Sequence, residues 1–340
     1  MVFDDLAREF LRAVRGRRSQ VAFSRRLGYT SNVAAQWESG RRMPTVIATL
    51  EALDLLGWDL AACFTKFHPE TATLVPGKPS GAAISCWLSA HRGNSSIEQL
   101  AKACGLSRYQ VSRILSGASI PRLPLFLNIL ETLTGRATDW VTAFVPAGKL
   151  PSVAEEHRCI QESRRIVYAE PWASAILTLL EIQGTFDNKQ SSEEFIRHCL
   201  PAPDNLSDIL EQLVGAGVLL REVTGSKCIQ YRILRPVTID LRGVRGRKSR
   251  EFWSEAASAR AKAPGEQDLL SYNLFSVSKN DMQKVKQLQL QFFRQLRSLV
   301  SRSSPSEVAG CIVWHTIIWD EQDSDDIEDS QGPASRETPN

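Results

Sequence analysis

The chain has 340 residues, 43% of them hydrophobic, which is enough for two or three domains with buried cores. No segment approaches the roughly 20 apolar residues of a transmembrane helix, and residues 1–5 lack the basic start of a signal peptide. We therefore expect a cytoplasmic protein with no membrane contact. The seven cysteines are odd in number and scattered, which argues against a disulfide framework or a zinc site.

The charge is unevenly distributed along the chain. The net charge is +3, but residues 320–340 hold eight acidic side chains against the single basic Arg336. The preceding 319 residues therefore carry about +10, a balance that favours a polyanion such as DNA but also occurs in proteins that bind none. The acidic tail has almost no large apolar residue, and we expect it to be disordered.

Residues 20–44 have the pattern of two short amphipathic helices separated by a turn at residues 28–30. The apolar positions are Phe23, Leu27, Val33, Ala34 and Trp37. Gly28 can take the positive φ that ends the first helix, and Thr30 is expected to cap the second. Pro44 precedes another apolar helix, predicted at residues 45–56.

The same pattern recurs 77 residues later, at residues 97–121. The shift places Gly28 on Gly105, Thr30 on Ser107, Gly40 on Gly117 and Pro44 on Pro121, and it places Leu11, Leu50 and Leu53 on Leu88, Leu127 and Leu130. A repeat with the same turn residues at the same offsets predicts two helical modules. We assign them to residues 1–66 and 81–145, joined by a linker at 67–80.

The first unit resembles the phage-repressor and Cro type of helix-turn-helix domain, the XRE family. The residues that carry the resemblance are Gln20, Phe23, Ser24, Leu27, Gly28, Thr30, Trp37, Glu38, Gly40 and Pro44. The second unit keeps the glycines, the cap and the proline, but it has Ile97 in place of the glutamine and Ile114–Leu115 in place of Trp–Glu.

The resemblance implies that the second helix of each motif lies in the major groove, at residues 31–39 and 108–116. In the first module it implies base contacts from Ser31, Asn32 and Gln36, and phosphate contacts from Gln20, Arg41 and Arg42. Asparagine and glutamine pair well with adenine. The alternative is that these are solvated helix residues and solubilising arginines.

In the second module, the corresponding candidates are Arg108, Tyr109, Gln110 and Arg113. Arginine is the usual partner of guanine, so this module is expected to prefer a different, more G-rich half-site. The alternative is that Ile114 and Leu115 mark a surface adapted to protein contact.

The C-terminal half changes to a mixture of helix and strand patterns after a second linker, residues 146–166. Helices at 172–180, 192–200 and 205–216, followed by strands at 218–223 and 228–234, predict a winged-helix arrangement. Its third helix has no Lys or Arg, so we expect dimerisation or signal reception there. A basic stretch with Arg242, Arg245, Arg247, Lys248 and Arg250 follows, either as a phosphate-binding loop or as a solvated hinge.

The last predicted elements are a helix at 249–262, a strand at 272–278, an amphipathic helix at 279–301 and a strand at 307–319. Residues 167–319 resemble, by this order of elements, a C-terminal domain of unknown function found in predicted bacterial transcription regulators. That resemblance implies no activity.

The expected fold is mainly α, with two tandem all-α helix-turn-helix domains. An α+β winged-helix-like domain follows at 167–319, with a small C-terminal strand-helix-strand unit, and the acidic tail occupies 320–340. The sequence shows no nucleotide-binding, metalloprotease or nucleophile-elbow motif, and we expect no enzyme activity, cofactor or metal.

The predicted function is a sequence-specific DNA-binding transcription regulator that contacts double-stranded DNA as a homodimer. A protein partner or a small ligand would bind the C-terminal domain. The alternative is a protein-interaction module, of the antitoxin or anti-repressor kind, that uses the helical repeats for partner assembly.

Overall fold

The computed structural model describes residues 3–72, 74–75, 79–92, 95–183, 190–201, 203–224, 228–239, 246–300 and 303–319. Over these residues the chain is mainly α-helical, with one two-stranded antiparallel hairpin. Module 1 consists of α1 Phe3–Arg15, α2 Gln20–Arg26, α3 Val33–Glu38, α4 Val46–Leu55 and α5 Leu60–Phe67, and a short α6 follows at Pro69–Ala72. Module 2 consists of α7 Gly81–Arg92, α8 Ile97–Cys104, α9 Arg108–Leu115, α10 Leu123–Thr134 and α11 Ala137–Phe144.

The repeat predicts two pairs of short helices, each joined by a turn, and the structure has them as α2–α3 and α8–α9. We call each pair a helix-turn-helix unit for this order of elements. Gly28 and Gly105 take positive φ values of 81° and 67° in the two turns, the conformation that glycine adopts without steric cost. Ser107 caps α9 as expected, but the prediction that Thr30 caps α3 is wrong. Helix α3 begins later, and Asn32 is its cap because its Oδ1 accepts a hydrogen bond from the Ala35 amide at 3.2 Å.

The two modules share one hydrophobic core rather than folding around separate cores. The segment that we expected to be a flexible linker, residues 67–80, contains α6, and its Phe67, Ala72 and Val75 side chains are buried. The described part of this segment is therefore packed against the modules that it connects. A tether with free ends is not consistent with this burial.

A long helix, α12 Pro151–Ala169, occupies most of the segment that we expected to be the second linker, residues 146–166. It follows a short 3-10 helix at Ala147–Lys149. Val153 near its start belongs to the core of the modules, whereas Ile166 and Val167 near its end belong to a second core. At about 1.5 Å per residue, the helix spans roughly 28 Å between the two cores.

A buried carboxylate fixes α12 against module 2. Asp139, on α11, accepts two hydrogen bonds from the Arg164 guanidinium on α12, at 2.8 and 2.6 Å, and one from Arg136 Nε at 2.7 Å. Burial alone would raise the pKa of Asp139, but the hydrogen bonds and charges of Arg164 and Arg136 outweigh it and lower that pKa. Arg164 also donates from Nε to the Thr238 carbonyl oxygen at 2.7 Å, so the same side chain contacts the C-terminal domain.

The C-terminal domain begins with the predicted winged-helix elements. They are α13 Trp172–Gln183, α14 Ser192–Cys199, α15 Leu206–Gly215, β1 Leu219–Thr224 and β2 Cys228–Ile233. The hairpin pairs Leu219 with Ile233 and Thr224 with Cys228. All three helices and both strands lie where the sequence predicts them, and the buried faces of the helices and hairpin form the second core.

Helices α16 Arg247–Lys262 and α17 Lys279–Val300 complete the described chain. The prediction of strands at 272–278 and 307–319 is wrong, and with it the strand-helix-strand unit, because both segments are irregular in the structure. Most of their apolar side chains, among them Tyr272 and Trp319, are exposed. Within the described part of the chain, neither segment has a strand to pair with. Arg242 and Arg245 of the basic stretch, and the acidic tail at 320–340, lie outside the described residues. None of the described helices is long and apolar enough to cross a bilayer.

Candidate nucleic-acid interface

Module 1 has an excess of positive charge around its helix-turn-helix unit. Residues 15–42 contain seven arginines and a single acidic residue, Glu38. Six of the arginines are exposed: Arg17, Arg18, Arg25, Arg26, Arg41 and Arg42. Because the only carboxylate of the segment is buried, this surface attracts anions, and phosphate contacts of this kind supply most of the sequence-independent affinity for DNA.

Glu38 holds α1, α2 and α3 together from the inside. Its Oε2 accepts hydrogen bonds from Arg15 Nη2 at 3.2 Å and from Gln20 Nε2 at 3.0 Å. Burial would raise the pKa of Glu38, but these two hydrogen bonds and the charges of Arg15 and Arg12 lower it below the ordinary value. Gln20, which we expected at a phosphate, therefore has a structural partner in the module.

This arrangement predicts an acid-sensitive module. Because the folded pKa of Glu38 is below the unfolded value, its contribution to stability is present above about pH 4.3 and is lost as pH falls through the folded pKa. We expect Glu38→Gln to be less stable than the parent chain at pH 7 and to lose less stability between pH 6 and pH 3, measured by urea unfolding. The exposed Glu51→Gln is the matched control; equal pH slopes for Glu38→Gln and the parent chain would contradict the prediction.

Only Gln36 of the candidate base-reading residues lies within α3, because Ser31 and Asn32 precede its first residue, and these residues are less free than the sequence indicates. Ser31 is exposed, whereas Asn32 and Gln36 are half-buried. Asn32 Oδ1 accepts hydrogen bonds from the Ala35 amide and from Ser24 Oγ, at 3.2 and 3.3 Å. The carbonyl oxygen of Asn32 is therefore used in the fold, and a contact with adenine would have to use its amide group.

Arg41 and Arg42 lie in the exposed loop that follows α3. The loop folds back on the helix because the Arg42 amide donates to the Gln36 carbonyl oxygen at 3.2 Å. Gly40 permits this turn with a φ of 75°. Both guanidinium groups thus project from a turn fixed to the C-terminal end of the candidate recognition helix.

Helix α9 presents its candidate residues more openly. Arg108, Tyr109, Gln110 and Arg113 are all exposed, while Val111 and Ile114 pack inward. Gln110 forms a capping box with Ser107, in which its Oε1 accepts from the Ser107 amide at 3.0 Å. The ring of Tyr109 lies 5.6 Å from the Arg113 guanidinium carbon, and Arg113 donates to the Tyr109 hydroxyl at 3.1 Å.

Comparison with protein-family models, curated proteins and solved structures finds no match. Within the described residues, no group of three or more His, Cys, Asp and Glu side chains has the geometry of a metal site.

The sequence reasoning missed two features of this surface. It did not single out Arg17, Arg18, Arg25 and Arg26, although a count of charges within residues 15–42 would have found them. It also did not predict the buried pair of Arg15 and Glu38. Comparison with the second module could have indicated that pair, because Arg92 stands at the position of Arg15 whereas Leu115 stands at the position of Glu38. Without the acid, the buried Arg92 Nε has no hydrogen-bond partner.

Proposed function

We propose that the protein is a cytoplasmic, sequence-specific DNA-binding transcription regulator that uses α3 and α9 as recognition helices. The observation that carries the proposal is the cationic surface of module 1, where six exposed arginines surround a helix-turn-helix unit whose only carboxylate is buried. The exposed Arg108 and Arg113 on α9 support the same assignment for module 2. Major-groove reading by the second helix of such a unit is the geometry that this arrangement fits.

The proposal predicts a salt-dependent loss of affinity when the loop after α3 is neutralised. A duplex is first selected from a random pool, and its affinity for the intact chain is measured against salt concentration. Arg41→Ala with Arg42→Ala should reduce the slope of log affinity against log salt by about 2, since each lost phosphate contact removes roughly 0.9.

The matched control removes two positive charges that lie outside residues 15–42. Lys66 and Lys149 are exposed, on α5 and in the 3-10 helix. Lys66→Ala with Lys149→Ala should leave the salt slope at the parent value. A parent-like slope for Arg41→Ala with Arg42→Ala would mean that the loop after α3 contacts no phosphate.

The C-terminal domain favours a second copy of the chain as its partner. Fourteen large apolar side chains between residues 269 and 319 are more than a third exposed, including Tyr272, Phe275, Trp314 and Trp319. Exposed apolar side chains concentrated in one stretch of the chain are typical of a surface that binds another protein. We propose that this surface forms a homodimer.

A small-molecule effector is the other candidate partner of this domain. The cleft lined by Val167, Leu177 and Arg235 has a volume of about 200 Å³, below the ~300–1,000 Å³ of ordinary ligand pockets. The cleft lined by Leu288, Phe292 and Trp314 has a volume of about 440 Å³, which lies within that range. The competing function is a protein-interaction module, which the same exposed apolar surface supports. Absence of DNA binding at low salt, together with a stable complex with an unrelated protein, would favour that alternative.

A further inference from the structure

We infer that one chain forms a complete DNA-reading unit, in which an internal two-fold relation fixes α3 and α9 to read two unlike half-sites. The inference rests on the proposed DNA-binding function and specifies the kind of DNA site. The contacts between the two modules are reciprocal, and the two candidate recognition helices carry different side chains.

The backbone contacts between the modules are reciprocal under the 77-residue shift. The Val46 amide donates to the Pro121 carbonyl oxygen at 3.0 Å, and the Leu123 amide donates to the Pro44 carbonyl oxygen at 2.9 Å. Val46 and Leu123 are equivalent under the shift, as are Pro44 and Pro121. Between them, Thr45 forms a bridge with Arg122, its own equivalent. Reciprocal contacts of this kind define a two-fold axis between identical subunits.

One pair of aromatic contacts between the modules is reciprocal in the same way. Phe10 of α1 lies 6.0 Å from Phe144 of α11, and Phe67 of α5 lies 5.7 Å from Trp87 of α7, measured between ring centroids. The shift converts the first pair into the second. The last helix of each module therefore packs against the first helix of the other, and the chain resembles a symmetric dimer joined into one polypeptide.

The length of chain between the axis and each candidate recognition helix limits how far apart the two helices lie. Thr45 lies seven residues after Glu38, the last residue of α3, and Arg122 lies seven residues after Leu115, the last residue of α9. Seven residues span at most about 25 Å, so the two helix ends lie within roughly 55 Å of each other. The ~34 Å between successive major grooves on one face of DNA falls inside this limit. A two-fold rotation does not change the position of a group along the rotation axis. The internal two-fold relation therefore places α3 and α9 at the same position along that axis.

The two recognition helices differ at every candidate position. Under the 77-residue shift, Ser31, Asn32 and Gln36 correspond to Arg108, Tyr109 and Arg113. The arginines of the loop, Arg41 and Arg42, correspond to Ala118 and Ser119. Glutamine fits adenine and arginine fits guanine O6 and N7, so the two halves of the bound site should differ in sequence while facing each other in inverted orientation.

The experiment selects duplexes with the intact chain from a random pool and then alters the DNA. We expect two unlike inverted halves about one helical turn apart. Inserting about five base pairs between them, half a turn, should reduce affinity at least tenfold, because the shared core cannot rotate one module relative to the other. Gln36→Ala should relax base preference in one half only, and Arg113→Ala in the other half only.

Three results would overturn the inference. The first is an inverted repeat of identical halves, which α3 from two chains would produce. The second is a single short half-site, and the third is an affinity that does not change when base pairs are inserted. In each of these cases the protein still binds specific DNA and the proposed function stands. Failure to enrich any sequence at low salt would instead overturn the proposed function itself. Because the insertions alter only the DNA, they do not depend on the folding of a variant.

Discussion

Phe64→Ala is expected to destabilise both helix-turn-helix modules together, by about 3–5 kcal/mol. Phe64 is on α5 of module 1 and is fully buried. Its ring lies 5.3 Å from that of Trp87, 6.4 Å from Trp140 and 6.3 Å from Phe144, all of which belong to module 2. Truncation at this position removes packing from the shared core, so the loss should not be confined to the module that carries the substitution.

Urea unfolding combined with hydrogen exchange, followed on peptides from both modules, measures this effect. Leu55→Ala is the control, because Leu55 is on α4 of the same module and is 57% exposed; its effect should stay within about 0.5 kcal/mol. Faster exchange in α7 and α11 as well as in α1 is the expected result. Faster exchange only in residues 3–67 would mean that the modules fold independently.

Asp139→Ala is expected to cost a similar amount, about 3–5 kcal/mol, because it leaves the guanidinium groups of Arg136 and Arg164 without their shared carboxylate. These side chains are 17% and 16% exposed. Adding Arg164→Ala to Asp139→Ala should recover part of the loss, since the unpaired charge on α12 is then removed.

Equilibrium unfolding of the two single variants and the double variant tests this coupling. Glu155→Ala is the matched control, because Glu155 also pairs with an arginine of α12, Arg158, but on an exposed surface. We expect no measurable change for Glu155→Ala. A parent-like stability for Asp139→Ala would show that α12 is not fixed to module 2 through this carboxylate.

The sequence was sufficient for the helices and turns of each module. Gly28, Gly105, Pro44 and Pro121 mark conformations that few other residues adopt, so their repetition located α2, α3, α8 and α9 closely. Local sequence does not fix the first residue of α3, because Thr30, Ser31 and Asn32 can all act as caps. Only the start of the packed helix decides between them.

The relation between the modules could not be predicted from local pattern. Residues 67–80 are polar and contain prolines, which are features of linkers, and burial of Phe67 and Val75 depends on surfaces far away in sequence. The strands predicted at 272–278 and 307–319 fail for a different reason. Their side chains favour extended backbone, but a strand requires a partner for its hydrogen bonds, and propensity does not supply one.

The peptide connection between the two modules changes how the protein responds to dilution. In a non-covalent repressor dimer, the paired recognition helices are lost as the protein concentration falls below the dissociation constant of the dimer. Here the contacts of Val46 with Pro121 and of Leu123 with Pro44 are intramolecular, so the pair persists at any concentration. Under the proposed DNA-binding function, engagement of the second half-site would then be governed by a fixed effective concentration rather than by the concentration of the protein.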